Sequence, residues 1–287
     1  MANKRSQEHF RQVVEDIQLV DAKTANSIGY APRFMACSSF PARKPISNEF
    51  VRTNGKRKLT LLAPSDIGLP YGAYPRLLII YLSTQAKLTK DREIFLGNTE
   101  TAFLRSLGKR STGGKTGTLQ SMREQTRKLF ATSIIWTDQS DSSFEIENLN
   151  IVREASMIWM PHAAGAWEST LKLSRDYNQE IQKAGVPVDL RVTSILCRYT
   201  LAFDIYIWLT FRYFSLAARK LVPWALLESQ FGNVYADKRQ FKRNFIKAIT
   251  WVSHLYPAAN YRITERGLGL FPSDTHVSKE FCKRIYH

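Results

Sequence analysis

The feature that most constrains this chain is an order of local signals that occurs twice. In the first half, Leu77, Leu78, Tyr81 and Leu82 recur at helical spacing between Pro75 and about Leu88, with proline suited to the first turn. Glu93–Leu96 reads as a short strand. Asn98 or Thr99 can cap a second helix that Gly108 stops, and a Gly/Ser/Thr/Lys loop leads into a long helix from Thr118 to about Ser133. Ile134–Trp136 with Phe144–Ile146 reads as a hairpin, and Ile151–Trp159 with Thr170–Leu173 as another.

The second half follows the same plan. One long aromatic-rich helix is expected over about Leu190–Ala217, then a short extended piece at Leu221-Val222. Pro223 opens a helix ending at Gly232, and a long helix runs from Asp237 to Tyr256, stopped by Pro257. Tyr261–Ile263 and Leu268–Phe271 pair around Glu265-Arg266-Gly267. Local sequence echoes the repeat: Phe103-Leu-Arg-Ser-Leu-Gly108 against Leu226-Leu-Glu-Ser-Gln-Phe-Gly232. A period of more than 100 residues is a duplicated domain and not a solenoid. A helix-turn-helix closed by a hairpin is a winged helix. The expectation is therefore a mainly α protein with small β-hairpins (α+β), built as two tandem winged-helix domains at 61–173 and 174–287. Residues 1–60 are expected to form a basic N-terminal extension, partly ordered at best.

Charge narrows the class of partner. The 287 residues carry a formal net charge of +16, and 44% of them are hydrophobic, which excludes wholesale disorder. The excess sits in blocks: +6 over 1–60, +6 over 61–130 and +7 over 238–287, separated by −3 over 131–175 and zero over 176–237. Such blocks suit a polyanion. The most apolar run, Leu201–Leu216, is interrupted by Asp204 and Arg212 and is too short to span a bilayer, so it reads as a core helix. With no amphipathic membrane-surface helix either, nucleic acid is favoured over lipid and no membrane partner is expected.

Two helices carry the charge in a useful pattern. With Arg239 at 0°, the residues Phe241, Phe245, Ala248, Ile249 and Val252 form one buried stripe, whereas Arg239, Gln240, Arg243, Asn244 and Lys247 face the other way. Arginine forks to guanine, Asn and Gln pair with adenine, and lysine neutralises phosphate. Lys238 and Lys242 flank that face and suit backbone contacts. No carboxylate lies between Lys238 and Asn260. In the first half, Gln120, Arg123, Arg127 and Lys128 lie opposite Met122, Thr126, Leu129 and Phe130, but Glu124 can pair with Arg127 or Lys128. A merely solvated basic face competes with DNA binding for both helices, more strongly for the first.

Other chemistry finds no pattern. Gly108–Thr116 imitates a phosphate-binding P-loop, but five residues separate Gly108 from Gly114-Lys115-Thr116 and a helix precedes it where a strand is required. Lys115, Thr116 and Thr118 at a helix start can instead hold a DNA phosphate. Three dispersed cysteines and five histidines without HxH or HExxH offer no disulfide framework, zinc site or nickase metal site. No enzyme activity, metal or cofactor is expected, and the cysteine usage suits a reducing, cytoplasmic compartment.

Several separated blocks resemble the plasmid-encoded RepA replication initiator family. They are Leu69-Pro-Tyr-Gly-Ala-Tyr-Pro-Arg-Leu-Leu78, Thr112-Gly-Gly-Lys-Thr-Gly-Thr118 with Arg123-Glu-Gln125 and Leu129-Phe130, Leu201–Thr210, and Gln230-Phe-Gly232 with Phe241-Lys242. The likeness spans about residues 60–277. It implies a theta-type initiator in the bacterial cytoplasm, associated with plasmid and nucleoid. Such a protein binds double-stranded iterons at the plasmid origin, opens adjacent DNA and recruits the host initiator and replicative helicase. It also implies possible repression of its own gene, and a homodimer in exchange with monomer that governs copy number. Arg262 or Arg266 on the second wing would touch the DNA backbone. A DNA-nicking initiation enzyme and a plain winged-helix repressor are the alternatives.

Overall fold

The computed structural model describes residues 4–112, 114, 117–139, 144–156, 169–232 and 237–281. The chain begins with α1 (Lys4–Leu19), β1 (Ile28–Ala31), α2 (Arg33–Cys37), β2 (Glu49–Asn54) and β3 (Arg57–Leu62). The first half continues as α3 (Ala73–Thr89), β4 (Glu93–Phe95), α4 (Glu100–Ser106), α5 (Thr118–Phe130), β5 (Ser133–Gln139), β6 (Phe144–Asn148), β7 (Val152–Ser156) and β8 (Thr170–Leu173). Next come α6 (Arg175–Ala184), β9 (Val186–Asp189) and α7 (Leu190–Leu196). The second half is α8 (Thr200–Ser215), β10 (Lys220–Pro223), α9 (Trp224–Phe231), α10 (Lys238–Leu255), β11 (Tyr261–Ile263) and β12 (Gly267–Leu270).

The duplication is structural. The series α3–β4–α4–α5–β7–β8 corresponds to α8–β10–α9–α10–β11–β12. Both close with three antiparallel strands in the same order, β4-β8-β7 and β10-β12-β11, so the strand after the first helix lies beside the last strand in each. Each is a helix-turn-helix closed by a hairpin, and the chain is thus two winged helices in tandem. Caps explain the helix starts: Thr99 Oγ1 accepts from the Ala102 amide at 3.0 Å, and an Asp237 carboxylate oxygen accepts from the Gln240 amide at 2.7 Å. In the second wing, Gly267 lies so close to β10 that a Cβ would collide with the Val222 carbonyl.

The copies differ by an insert. β5 and β6 stand between α5 and its wing and join β2 and β3 in a four-stranded antiparallel sheet, β2-β3-β5-β6. The register places Arg57 opposite Asp138, and their side chains pair at 2.7 Å. The basic knot at 56–58 and the acidic segment that starts at Asp138 are therefore sheet partners, and part of the N-terminal charge is neutralised internally.

Residues 27–62 depart from the expected partly ordered extension. Ala31, Phe34, Met35, Ala36, Cys37 and Phe40 are all buried, and β1 pairs with β9 from Ile28↔Asp189 to Ala31↔Val186. These short apolar pieces lack periodicity, so they gain order only from surfaces supplied by α3, α6 and α8. Two further expectations are corrected. The single helix over 190–217 is two helices, because Tyr199 (φ −121°, ψ 79°) leaves the helical region and lays its ring on Trp251, with centroids 5.3 Å apart. Helix α6 was not anticipated, although Tyr177, Ile181 and Ala184 mark its buried side and the Ser174 hydroxyl caps it.

One buried ion pair fixes the two halves relative to each other. Arg76 of α3 meets Asp204 of α8 through two hydrogen bonds, Nε–Oδ1 at 2.8 Å and Nη2–Oδ2 at 2.7 Å, with both side chains almost fully buried. Its remaining N–H groups donate to the carbonyls of Phe40, Pro41 and Gly72. Gly72 adopts φ +78°, ψ −150°, a conformation that favours glycine, and this turns its carbonyl toward the guanidinium. Around the pair, Phe203, Ile205, Tyr206, Ile207, Trp208 and Leu209 of α8 are excluded from solvent, which makes this aromatic helix core. No helix among the described residues is long and apolar enough to cross a membrane.

Candidate nucleic-acid interface

The second helix of each helix-turn-helix, α5 and α10, is where a winged helix presents side chains to a major groove. On α10 the apolar stripe is buried as expected: Phe241, Phe245, Ala248, Ile249, Val252 and also Leu255. Its opposite side exposes Arg239, Arg243 and Lys247, one turn apart, with Gln240 and Asn244 half-buried between them. Among the described residues none of these three cations has a carboxylate partner. Lys238 is exposed at the first turn, beyond the Asp237 cap. Lys242 is half-buried with its ammonium 4.9 Å from the Trp224 ring centre, so it is held by a cation–π contact to α9. Arg262 and Arg266 are exposed on the second wing, Arg262 in β11 and Arg266 in the turn before β12.

On α5 the same residue types are engaged by the protein. Arg123 forks onto Glu100 of α4, with Nε–Oε1 at 2.7 Å and a second contact through Nη2. Lys128 is buried, pairs with Glu124 at 2.6 Å and sits 5.0 Å from the Tyr71 ring centre. Gln120 and Arg127 remain exposed. Gln125 is buried and accepts from the Tyr71 amide, which locks α5 to the start of α3. The Thr118 hydroxyl accepts from the Thr112 amide at 2.8 Å and donates to the Arg110 carbonyl at 2.9 Å, so it closes the loop before α5. Lys115 and Thr116 lie outside the described residues.

The Arg123–Glu100 pair was not expected from sequence. Its signal was an acidic residue in the first turn of α4, which the turn between α4 and α5 folds against α5. No cluster of three or more His, Cys, Asp or Glu residues that could hold a metal occurs among the described residues.

A family model described as plasmid encoded RepA protein matches residues 69–224, more than half of the chain. The chain belongs to that family. This RepA-family chain is a plasmid replication initiator. The matched segment runs from the turn before α3 to the first residue of α9 and so includes α5 but not α10. A comparison with curated proteins finds no match. Among solved structures, the chain is similar to a crystal structure of domain 2 and domain 3 of RctB. That likeness has a TM-score of 0.55 at 12% identity and covers 83% of this chain and 95% of the other. At that identity it concerns the fold.

Proposed function

We propose that this RepA-family protein binds repeated double-stranded sites (iterons) at its plasmid origin, with winged-helix domains at 61–173 and 174–287 each reading one groove. The observation that carries this reading is the exposed row Arg239, Arg243 and Lys247 on α10, without a carboxylate partner among the described residues and opposite a buried apolar stripe. Arg243 and Asn244 would reach base edges, Lys238 and Lys247 phosphates, and Arg262 or Arg266 the backbone beside the groove. Gln120 and Arg127 would be the first domain's contribution, and Arg123 would join them only by leaving Glu100. Two grooves read on one face of the duplex give a footprint of about two helical turns.

Family membership supports the further steps: opening of adjacent DNA, recruitment of the host initiator and helicase, and a homodimer exchanging with monomer. The reading includes no DNA cleavage and no cofactor. Footprinting on the cognate origin with a single-strand-sensitive probe tests it, because binding site, repeat spacing and opening are read together. Protection of regularly spaced sites with reactive bases alongside is expected; protection without opening leaves a repressor. Relaxation of supercoiled origin plasmid by protein with a divalent metal would establish a nicking enzyme instead.

A further inference from the structure

The α10 cation row does not end at Lys247. One turn further along the same ridge stands Trp251, and the Tyr199 ring lies on it nearly parallel, at 19° and 5.3 Å, with 48% of Tyr199 exposed. Tyr199 belongs to the strap 197–199 that joins α7 to α8. Its neighbour Arg198 is exposed and has no carboxylate partner among the described residues. The strap is tied in turn to the first winged helix. Lys109, just after α4, donates to Cys197 Sγ at 2.8 Å, and Gly108 abuts the Ser194 hydroxyl. Arg110 follows, again exposed and unpaired among the described residues, and its carbonyl is bound by the Thr118 hydroxyl at the start of α5. A chain of contacts therefore links α10 across the strap to the first residue of α5.

We propose that this ridge, with Arg110 and Arg198 as its free charges, is a backbone-contacting saddle that holds the duplex phosphates lying between the two grooves. The inference rests on the reading of α10 and α5 as DNA-binding helices. Each feature fits that role. Among the described residues neither arginine has a partner, and each is anchored by a neighbour that does: Tyr199 on Trp251, Lys109 on Cys197. A guanidinium held by its backbone and not by a counter-ion suits a phosphate, which carries no sequence information. Successive α10 cations stand about 6 Å apart along the helix axis. The strap continues that line past the point where the helix face turns away.

The test compares the full-length protein with R110A/R198A on two origin-derived duplexes. One is about 40 base pairs long; the other is about 12, little more than one helical turn. On the long duplex the variant is expected to bind about tenfold more weakly, with the log-affinity against log-salt slope shallower by roughly 2, near 0.9 per phosphate contact. On the short duplex, which one helix fills, its affinity is unchanged. R110K/R198K keeps two point charges and is expected to restore the slope; failure to restore it overturns the proposal. An unchanged slope and affinity for R110A/R198A on the long duplex, while R239A/R243A loses binding, overturns the saddle and leaves the reading of α10 intact. Absence of salt-dependent binding by the unaltered protein to either duplex overturns both.

Discussion

Helices α5 and α10 occupy the same place in two copies of one fold and carry the same residue types, yet the protein uses them differently. On α10 the exposed cations face no carboxylate among the described residues, and Lys242 is drawn inward by Trp224. On α5, Glu100 and Glu124 take up Arg123 and Lys128, leaving Gln120 and Arg127. A charge already hydrogen-bonded within the protein must break that bond before it meets a phosphate or guanine, and charge-assisted pairs of this geometry are the strong ones. The comparison favours α10 as the sequence-reading helix of the proposed function, because the like residues of α5 are structurally committed. The lesson is that helix position and composition nominate a reader, but the neighbouring helix decides whether its charges are available.

The largest expected effect concerns the frame that holds the two helices in register. Asp204→Ala leaves Arg76 buried without its partner and should cost about 3–5 kcal/mol. Chemical denaturation reads it, and a loss below about 1 kcal/mol would mean the halves are joined by something other than this pair. Next, acid should loosen the α10 side and not the α5 side. His276 is packed between Tyr206 and Tyr256, with Nδ1 2.9 Å from the Tyr206 hydroxyl, and burial lowers its pKa to about 4 from the ordinary 6.5. The unfolded chain takes up this proton below pH 6.5 and the folded one only near pH 4. The neutral imidazole's contribution is thus full above pH 6.5 and fades as the pH falls toward 4, by about 2–3 kcal/mol. The variant His276→Gln should flatten that part of the stability–pH curve; an unaltered curve refutes the assignment.

Binding effects are smaller and bear directly on the two helices. Arg243→Ala should lose about 1–3 kcal/mol on the cognate site and far less on random duplex, relaxing specificity. Equal losses on both would reduce Arg243 to a phosphate contact. Arg123→Ala should change thermal stability before specificity; a specificity loss matching that of Arg243→Ala with an unchanged melting temperature would break the comparison. The smallest change is expected for Lys238→Ala, which should weaken binding to all sequences alike by under about 1 kcal/mol and reduce the salt slope by roughly 0.9.

Much of the architecture was legible because it rests on local rules. Period-3.6 stripes, the Thr99 and Asp237 caps, the stop at Gly108 and the paired turns of the second wing all act within a few residues. The buried stripe of α10 and the Glu124–Lys128 pair were likewise local, four residues apart. The segment 27–62 was illegible for the opposite reason. Ala31, Phe34 and Phe40 have no periodic pattern of their own and are ordered by α3, α6 and α8, which lie tens of residues to more than a hundred residues away in sequence. Glu100 against Arg123 was missed similarly, since 23 residues and a loop separate them.

By itself, then, the sequence determined the duplicated helix-turn-helix and wing, the RepA-family blocks and the basic face of α10, because each follows from spacing along one element. Only the tertiary structure decided which charges stay free, that Ala31–Phe40 and the inner face of β3 join the core, and that Arg110, Arg198 and Trp251 lie along one line of contacts. Those outcomes depend on which elements meet, and a guanidinium's availability is set by the carboxylate that packing brings to it.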